Sequence, residues 1–320
     1  MNIQQIKYAI AVAEVQSFGK AAEKCFITQS TLSTMISRLE GELGLQLFNR
    51  KKKPITPTKE GKDILKQLRI INKELDTLDE VVGDLKGESS GQLHVGVIPT
   101  VAPYLLPLFL NDFVQRHPNV KFFISEMTTE NIIKALENRA LDIGILSTPL
   151  HHSTLIEKPL YKESFLLFDK SKERSEKNIH VDEIDCNRLW LLNEGHCLRT
   201  QVETICHLHD QRDNNLNLEY KSGTIDTLLK FVRKNQAITL LPYLATLDLP
   251  TEDLKYLHPL AAPQPAREIS LVVHQHFVKK RILHSMQQTI QELINPLVAE
   301  QKLKQWLVAP SNKNSFLKKK

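Results

Sequence analysis

The chain lacks the features that would place it in a membrane or hold it together by disulfides. None of its 320 residues belongs to a run of the roughly 18 apolar residues that a membrane-spanning helix needs. The opening Met1-Asn2-Ile3-Gln4-Gln5-Ile6-Lys7-Tyr8 has neither a basic leader nor an apolar secretory core, and it runs straight into an amphipathic pattern. No membrane association and a cytoplasmic location are therefore expected. Only four cysteines occur, Cys25, Cys186, Cys197 and Cys206, too few to staple so long a chain. Any disulfide among them should act as a signal. Histidine pairs occur at His151-His152, His207-x-His209 and His274-x-His276, but none has further ligands at zinc-site spacing, so neither a metal nor a cofactor is expected.

What is present is a globular composition, 41% hydrophobic and 25% charged, in a chain long enough for two or three domains. The net charge of +5 is unevenly spread. Residues 1–60 carry +4 and residues 296–320 carry +5, leaving −4 between them. A basic amino-terminal unit invites a polyanion, whereas Lys318-Lys319-Lys320 reads as a solvated tail.

Apolar positions Ile3, Ile6, Ile10, Val12 and Ala13 follow a helical period and predict a first helix ending near Val15. Ser17 is a candidate N-cap for a second, in which Ala21-Ala22 permits close packing. Thr28 would cap a third, Gln29 to about Leu43, burying Leu32, Met35, Ile36, Leu39 and Leu43. Its other face carries Gln29, Ser30, Thr31, Ser33, Thr34, Ser37 and Arg38, short hydrogen-bonding side chains suited to base edges in a DNA major groove. The following strand-turn-strand candidate, Gln46 to Pro57, holds four consecutive cations from Arg50 to Lys53, suited to phosphates. Together these predict a winged helix-turn-helix.

From Thr58 a proline-free stretch runs to about Gly87, with Ile64, Leu68, Ile71, Leu75, Leu78, Val82 and Leu85 spaced alternately four and three. That heptad seam predicts pairing with a second copy, and two paired reading heads predict a double-stranded DNA site of approximate two-fold symmetry. Gly87-Glu88-Ser89-Ser90-Gly91 reads as a hinge. Beyond it, strand and helix patterns alternate: Leu93–Ile98, Tyr104–Arg116, Lys121–Ser125, Glu130–Asn138 and Asp142–Leu146. The order continues through strands near Ser164–Phe168, Trp190–Leu192, Ile238–Leu241 and Ile269–Val273, with a last helix from Lys279 to Asn295. This is α/β order. Thr100 and Thr129, at a strand end and a helix start, are positioned to hold a small polar ligand.

The spacing Phe18-x-x-Ala21-Ala22, Thr28-Gln29-Ser30-x-Leu32-Ser33, Ile36-x-x-Leu39-Glu40-x-x-Leu43-Gly44-x-x-Leu47-Phe48-x-Arg50 and Thr58-x-x-Gly61 closely resembles the amino-terminal domain of LysR-type transcriptional regulators. The resemblance implies a non-enzymatic DNA-binding protein in which Gln29, Ser30, Thr31, Ser33, Thr34 and Arg38 contact bases or phosphates and Arg50 and Lys53 hold the backbone. Ser30 stands where the family commonly has proline. It also implies a periplasmic-binding-protein-like regulatory domain of two α/β subdomains. The expected boundaries are 1–58 for the winged helix-turn-helix, 59–91 for linker helix and hinge, 92–296 for the regulatory domain and 297–320 for a basic extension. Subdomain I would span about 92–162 plus 267–296, and subdomain II about 163–266.

Within that family the chain resembles the hydrogen-peroxide-sensing members, through Ile98-Pro99-Thr100-Val101-x-Pro103-Tyr104-Leu105-Leu106-Pro107, Gly195-His196-Cys197-Leu198-Arg199-x-Gln201, Cys206, and Ile238-Thr239-Leu240-Leu241-Pro242. What this implies is a Cys197 that reacts with peroxide and then forms a disulfide with Cys206, in a dimer of dimers that works with RNA polymerase. Thr100, Thr129, His196, Arg199 and Arg267 would form the effector pocket. The alternative is a regulator of the same family that answers a small organic effector, its cysteines incidental. Thr200 stands where peroxide sensors have an acid, a departure expected to alter proton delivery, and Glu219 stands where they have a histidine.

His196, Arg199 and helix-terminal N–H groups would each favour a Cys197 thiolate. If Cys197 to Cys206 were one α-helix, the Cα atoms would lie roughly 13 Å apart, against the ~7 Å limit for a disulfide. Bond formation would therefore require the segment to unwind. Cys25 and Cys186 are expected to be ordinary core or surface thiols.

Overall fold

The computed structural model describes residues 1–85, 91–193, 195–206, 223–299 and 305–310. Two compact units divide the chain, Met1–Glu88 and Ser89–Lys320.

In the first unit, α1 (Ile3–Val15) is opened by a reciprocal cap in which Gln5 N donates to Asn2 Oδ1 at 2.9 Å and Asn2 N donates to Gln5 Oε1 at 2.7 Å. Ser17 caps α2 (Phe18–Lys24), whose Ala21 and Ala22 are buried. Thr28 Oγ1 accepts from Thr31 N at 3.2 Å to start α3 (Gln29–Leu43), which stops at Gly44 in the left-handed region (φ 68°). Of the expected inner face, Leu32, Ile36 and Leu39 are buried, while Met35 and Leu43 are half-buried. The wing is the antiparallel pair β1 (Phe48–Asn49) and β2 (Thr56–Pro57).

The long helix α4 (Lys59–Leu85) uses its seam for two purposes. Leu68 was expected to face a second copy, yet it is 3% exposed within this one chain, packed with Leu65 in the core of its own unit. Ile64 and Ile71 pack partly against the same core. A helix that shares a face with α1 cannot also offer that face to a partner. Leu75 is half-buried, and Leu78 and Val82 are exposed, at 63% and 44%. The Leu85 side chain and the expected hinge at 86–90 lie outside the described residues.

The second unit begins β3 (Gly91–Val97), α5 (Ala102–Arg116), β4 (Val120–Glu126), α6 (Thr129–Glu137) and β5 (Ile143–Thr148). It continues with β6 (Leu155–Asp169), α7 (Cys197–Ile205), α8 (Ile225–Lys234), β7 (Ile238–Pro242) and α9 (Tyr243–Thr246). After β8 (Leu257–Pro259) come β9 (Gln264–His274), α10 (Lys280–Val298) and β10 (Gln305–Leu307). Strand order is β4-β3-β5-β9-β6-β7, with β8 on β6 and β10 on β9. Two hydrophobic cores flank this sheet. One centres on β3, β5, α5, α6 and α10; the other takes in Phe165, Phe168, Ile184, α7, α8 and β7. Strand β6 serves both, because it pairs with β9 over Leu155–Ser164 and with β7 over Phe165–Asp169.

Three differences from the sequence reading stand out. Strand β6 starts nine residues before the expected Ser164, because Glu157, Lys158 and Pro159 break its apolar pattern without breaking its pairing. Residues Trp190–Leu192, expected as a strand, form no ladder among the described residues: Leu189 makes an isolated bridge to Ile238, and Leu192 is a single bridge position. The carboxy-terminal extension is no loose tail at its start: α10 runs on to Val298, and β10 pairs in parallel with Gln264–Ala266 of β9, placing Val308 in the second core at 1% exposure. Lys318–Lys320 lie outside the described residues.

Candidate functional sites

The outer face of α3 is built as a presentation surface. Thr28 Oγ1 also lies 3.0 Å from Ser30 Oγ and 2.8 Å from Thr31 Oγ1, so the cap residue fixes both hydroxyls at the helix start. Gln29, Ser30, Thr31, Thr34 and Arg38 are exposed and Ser33 is half-buried. Lys53 is exposed at the wing tip. Arg50, expected to grip phosphate, is occupied inside the unit. It donates to Ser33 Oγ at 3.2 Å, Ser37 Oγ at 3.0 Å and Glu40 Oε2 at 2.7 Å, and its guanidinium lies 5.1 Å from the Phe18 ring centroid. Glu40 Oε1 in turn accepts from Leu47 N at 2.8 Å. Arg50 therefore ties the wing to α3.

The thiol pair sits at the two ends of α7. Cys197 is the first helical residue and Cys206 the C-cap, with a continuous helix between them. Both thiols are free and buried. Their surroundings differ: Cys197 packs into the first core, whereas Leu198, Val202, Ile205 and Cys206 pack into the second. Joining them means carrying one sulfur out of one core into the other.

Arg267, from β9, is the cation that reaches Cys197. It is 1% exposed; Nε donates to Glu163 Oε1 at 2.9 Å, Nη1 to Thr100 Oγ1 at 3.0 Å and Nη2 to Thr100 O at 3.0 Å. Glu163, from β6, spends its second oxygen on Leu244 N at 2.8 Å. Burial pushes the Cys197 thiol above its ordinary pKa, and Arg267, Thr129 and the helix-start N–H groups pull it back only in part. Thr129 Oγ1, buried with no other hydrogen-bond partner among the described residues, is thus free to serve the sulfur or a small ligand. The buried hydroxyl of Tyr161, close enough to Glu163 and Arg267 to feel both charges, also has no partner there.

The structure thus brings Thr129 and Arg267 to Cys197, with Thr100 held on the Arg267 guanidinium, and it gives the two sequence neighbours other surroundings. His196 has its pKa lowered by burial, so it is neutral near pH 7 and brings no charge. Arg199 is directed along its own helix, Nε to Glu203 Oε1 at 2.8 Å and Nη1 to Leu192 O at 3.2 Å. An acid is therefore present near Arg199 despite Thr200, one helical turn further on. Glu219 lies outside the described residues. Sequence reasoning did not single out Glu163, which lies in the polar run Lys162-Glu163-Ser164 of β6, nor the position of Cys186. That thiol, on the short turn Cys186–Arg188, lies 3.7 Å from the carbonyl oxygen of Cys206. Among the described residues no group of three or more potential metal-binding side chains occurs, and no helix is long and apolar enough to cross a membrane.

Comparison with known proteins agrees with this construction. Residues 3–62 match the description "Bacterial regulatory helix-turn-helix protein, lysR family", and residues 86–293 match "LysR substrate binding domain". The hydrogen peroxide-inducible genes activator of Haemophilus influenzae is 32% identical over 275 residues, spanning 85% of this chain and 90% of that protein. The DNA-binding transcriptional dual regulator OxyR of Escherichia coli K12 is 32% identical over 274 residues, 85% of this chain and 89% of that one. Among solved structures, full-length OxyR from Pseudomonas aeruginosa superposes with a TM-score of 0.71 at 26% identity, covering 91% of this chain and 98% of its own. With both of its parts matched and relatives aligned over most of their length, the chain belongs to the LysR family of bacterial transcriptional regulators, which are not enzymes.

Proposed function

We propose that this regulator senses hydrogen peroxide through Cys197 and Cys206 and controls peroxide-inducible genes. The observation that carries the reading is the placement of the two thiols at opposite ends of one helix and in two different cores. A Cys197 thiolate, favoured by Arg267, attacks one peroxide oxygen; the O–O bond breaks, hydroxide leaves and is protonated to water, and a sulfenic acid remains. The Cys206 thiol then attacks that sulfur and expels a second water. The new bond cannot span an intact α7, so the helix must unwind at one end, and repacking two cores is a two-state event able to move a bound dimer.

The Haemophilus influenzae relative, a hydrogen peroxide-inducible genes activator, supports the input and the output alike. Leu78 and Val82, with the half-buried Leu75, supply the surface for pairing α4 with a second copy. On that reading two α3 helices address an approximately two-fold symmetric duplex, in a dimer of dimers that recruits RNA polymerase. Gln29, Ser30, Thr31, Ser33, Thr34 and Arg38 face the DNA, and Lys53 holds a phosphate.

The test couples thiol mapping to DNA footprinting. After a brief, near-stoichiometric peroxide pulse the parent should show a Cys197–Cys206 crosslink and a changed footprint, and Cys197→Ser should show neither. A Cys197→Ser protein whose footprint responds to peroxide as the parent does would overturn the reading in favour of an organic effector.

A further inference from the structure

The redox helix ends beside a third thiol. Cys186 Sγ lies 3.4 Å from Ile184 O and 3.7 Å from Cys206 O, and the two side chains are near enough for Cys186 to raise the Cys206 pKa. The turn that carries Cys186 is anchored: Arg188 Nη2 donates to Asp169 Oδ1 at 2.9 Å and Arg188 Nε to Gln236 O at 3.0 Å. Cys206 meets Cys186 within one core, whereas it meets Cys197 only after a sulfur has crossed from the other.

We propose that Cys186 is the third member of the redox centre and takes over the disulfide from Cys197. The inference rests on the proposed peroxide chemistry. In the exchange the Cys186 thiolate attacks Cys206 Sγ of the Cys197–Cys206 bond; the Cys186–Cys206 bond forms, and the electron pair of the broken bond leaves on Cys197. The proton lost by Cys186 is taken up by Cys197, and no further oxidant is consumed. The attack falls on Cys206 because that is the sulfur beside Cys186, so Cys197 is the thiol that departs, and Arg267, Thr129 and helix-start N–H groups offset part of the burial cost of its thiolate. The transfer lets α7 rewind with Cys197 reduced at its start, so the signal would be self-limiting, with the oxidising equivalent parked at its end.

Trypsin cleavage after Arg188 and Arg199 places the three thiols on separate peptides, so the pairings can be read directly. After a near-stoichiometric hydrogen peroxide pulse quenched by alkylation at successive times, the Cys197–Cys206 pair should appear first. It should then give way to Cys186–Cys206 as alkylatable Cys197 returns. In Cys186→Ser the first pair should persist several-fold longer. A parent that forms Cys197–Cys206 while Cys186 stays alkylatable throughout overturns the inference and leaves the peroxide reading intact. Diamide, which joins neighbouring thiols without a sulfenic acid, provides a test independent of that reading. Cys197→Ser treated with diamide should form Cys186–Cys206, and failure to do so also overturns the inference.

Discussion

Gln201 Nε2 donates to the carbonyl oxygen of Val308 at 2.8 Å and to Ser147 Oγ at 3.1 Å, so one fully buried side chain ties α7 to both the carboxy-terminal segment and β5. Replacing it by leucine would leave two buried groups without their donor, at a cost of about 1–3 kcal/mol. Urea unfolding of Gln201→Leu should show that loss, and peroxide should crosslink Cys197 to Cys206 faster, because α7 is held less firmly.

Arg267→Met should damage the protein in two separable ways. It leaves Glu163, 0% exposed, as a buried charge without its partner, worth about 3–5 kcal/mol in unfolding experiments. It also withdraws the cation that acts on Cys197, so the peroxide rate at neutral pH should fall several-fold. Adding Glu163→Gln should restore much of the stability and none of the rate.

The pH dependence follows from the direction of the thiol shifts. Because the Cys197 pKa is raised above 9.0, its peroxide rate should climb about tenfold per pH unit from pH 7 without levelling off below pH 9. Cys206, raised from 9.0 to about 12, is held neutral by the fold. Its contribution to stability is complete below the ordinary thiol pKa and is lost as pH rises from 9 towards 12, by about 1.4 kcal/mol per pH unit at the steepest. Parent and Cys206→Ser, compared by urea unfolding at rising pH, should converge in that window if the parent starts the more stable.

Gly61→Ala should disable the amino-terminal unit. An added Cβ would lie 2.2 Å from Leu47 O and 2.8 Å from Thr58 Oγ1, and backbone cannot yield there without moving α4 away from the wing. Thermal unfolding of this unit should drop by several degrees, with the regulatory unit's transition unmoved.

Arg50 and Lys53 should behave differently although both are wing cations. Lys53→Ala should reduce the slope of log affinity against log salt by about one and leave unfolding unchanged. Arg50→Ala should lower thermal stability as well as DNA affinity, because Glu40 would lose its partner and α3 its link to the wing.

The amino-terminal unit was legible because its information is local: Ser17 and Thr28 cap the helices they precede, and Leu32, Ile36 and Leu39 recur at helical spacing. Strand and helix order in the regulatory unit was legible for the same reason. What the sequence concealed is set by pairing over long separations. His196 and Arg199 flank Cys197 in sequence, yet the charge that acts on it arrives from Arg267, itself held by a glutamate 104 residues away. The proximity of Cys186 to Cys206 depends on how a short turn docks beside β7, and no periodicity encodes that. The heptad seam was read correctly as apolar, but spacing alone could not divide Leu68, used internally, from Leu78.

The strap formed by β10 has a consequence for the order in which the protein is made. Val308 follows Gln201 by 107 residues, so α7 leaves the ribosome long before the carbonyl that will hold it exists. Until then the helix bearing Cys197 and Cys206 lacks that hydrogen bond and the Val308 side chain of the second core. On the proposed peroxide reading, synthesis through Val308 sets how firmly α7 resists the Cys197–Cys206 bond, and a chain ending short of it should be oxidised more readily.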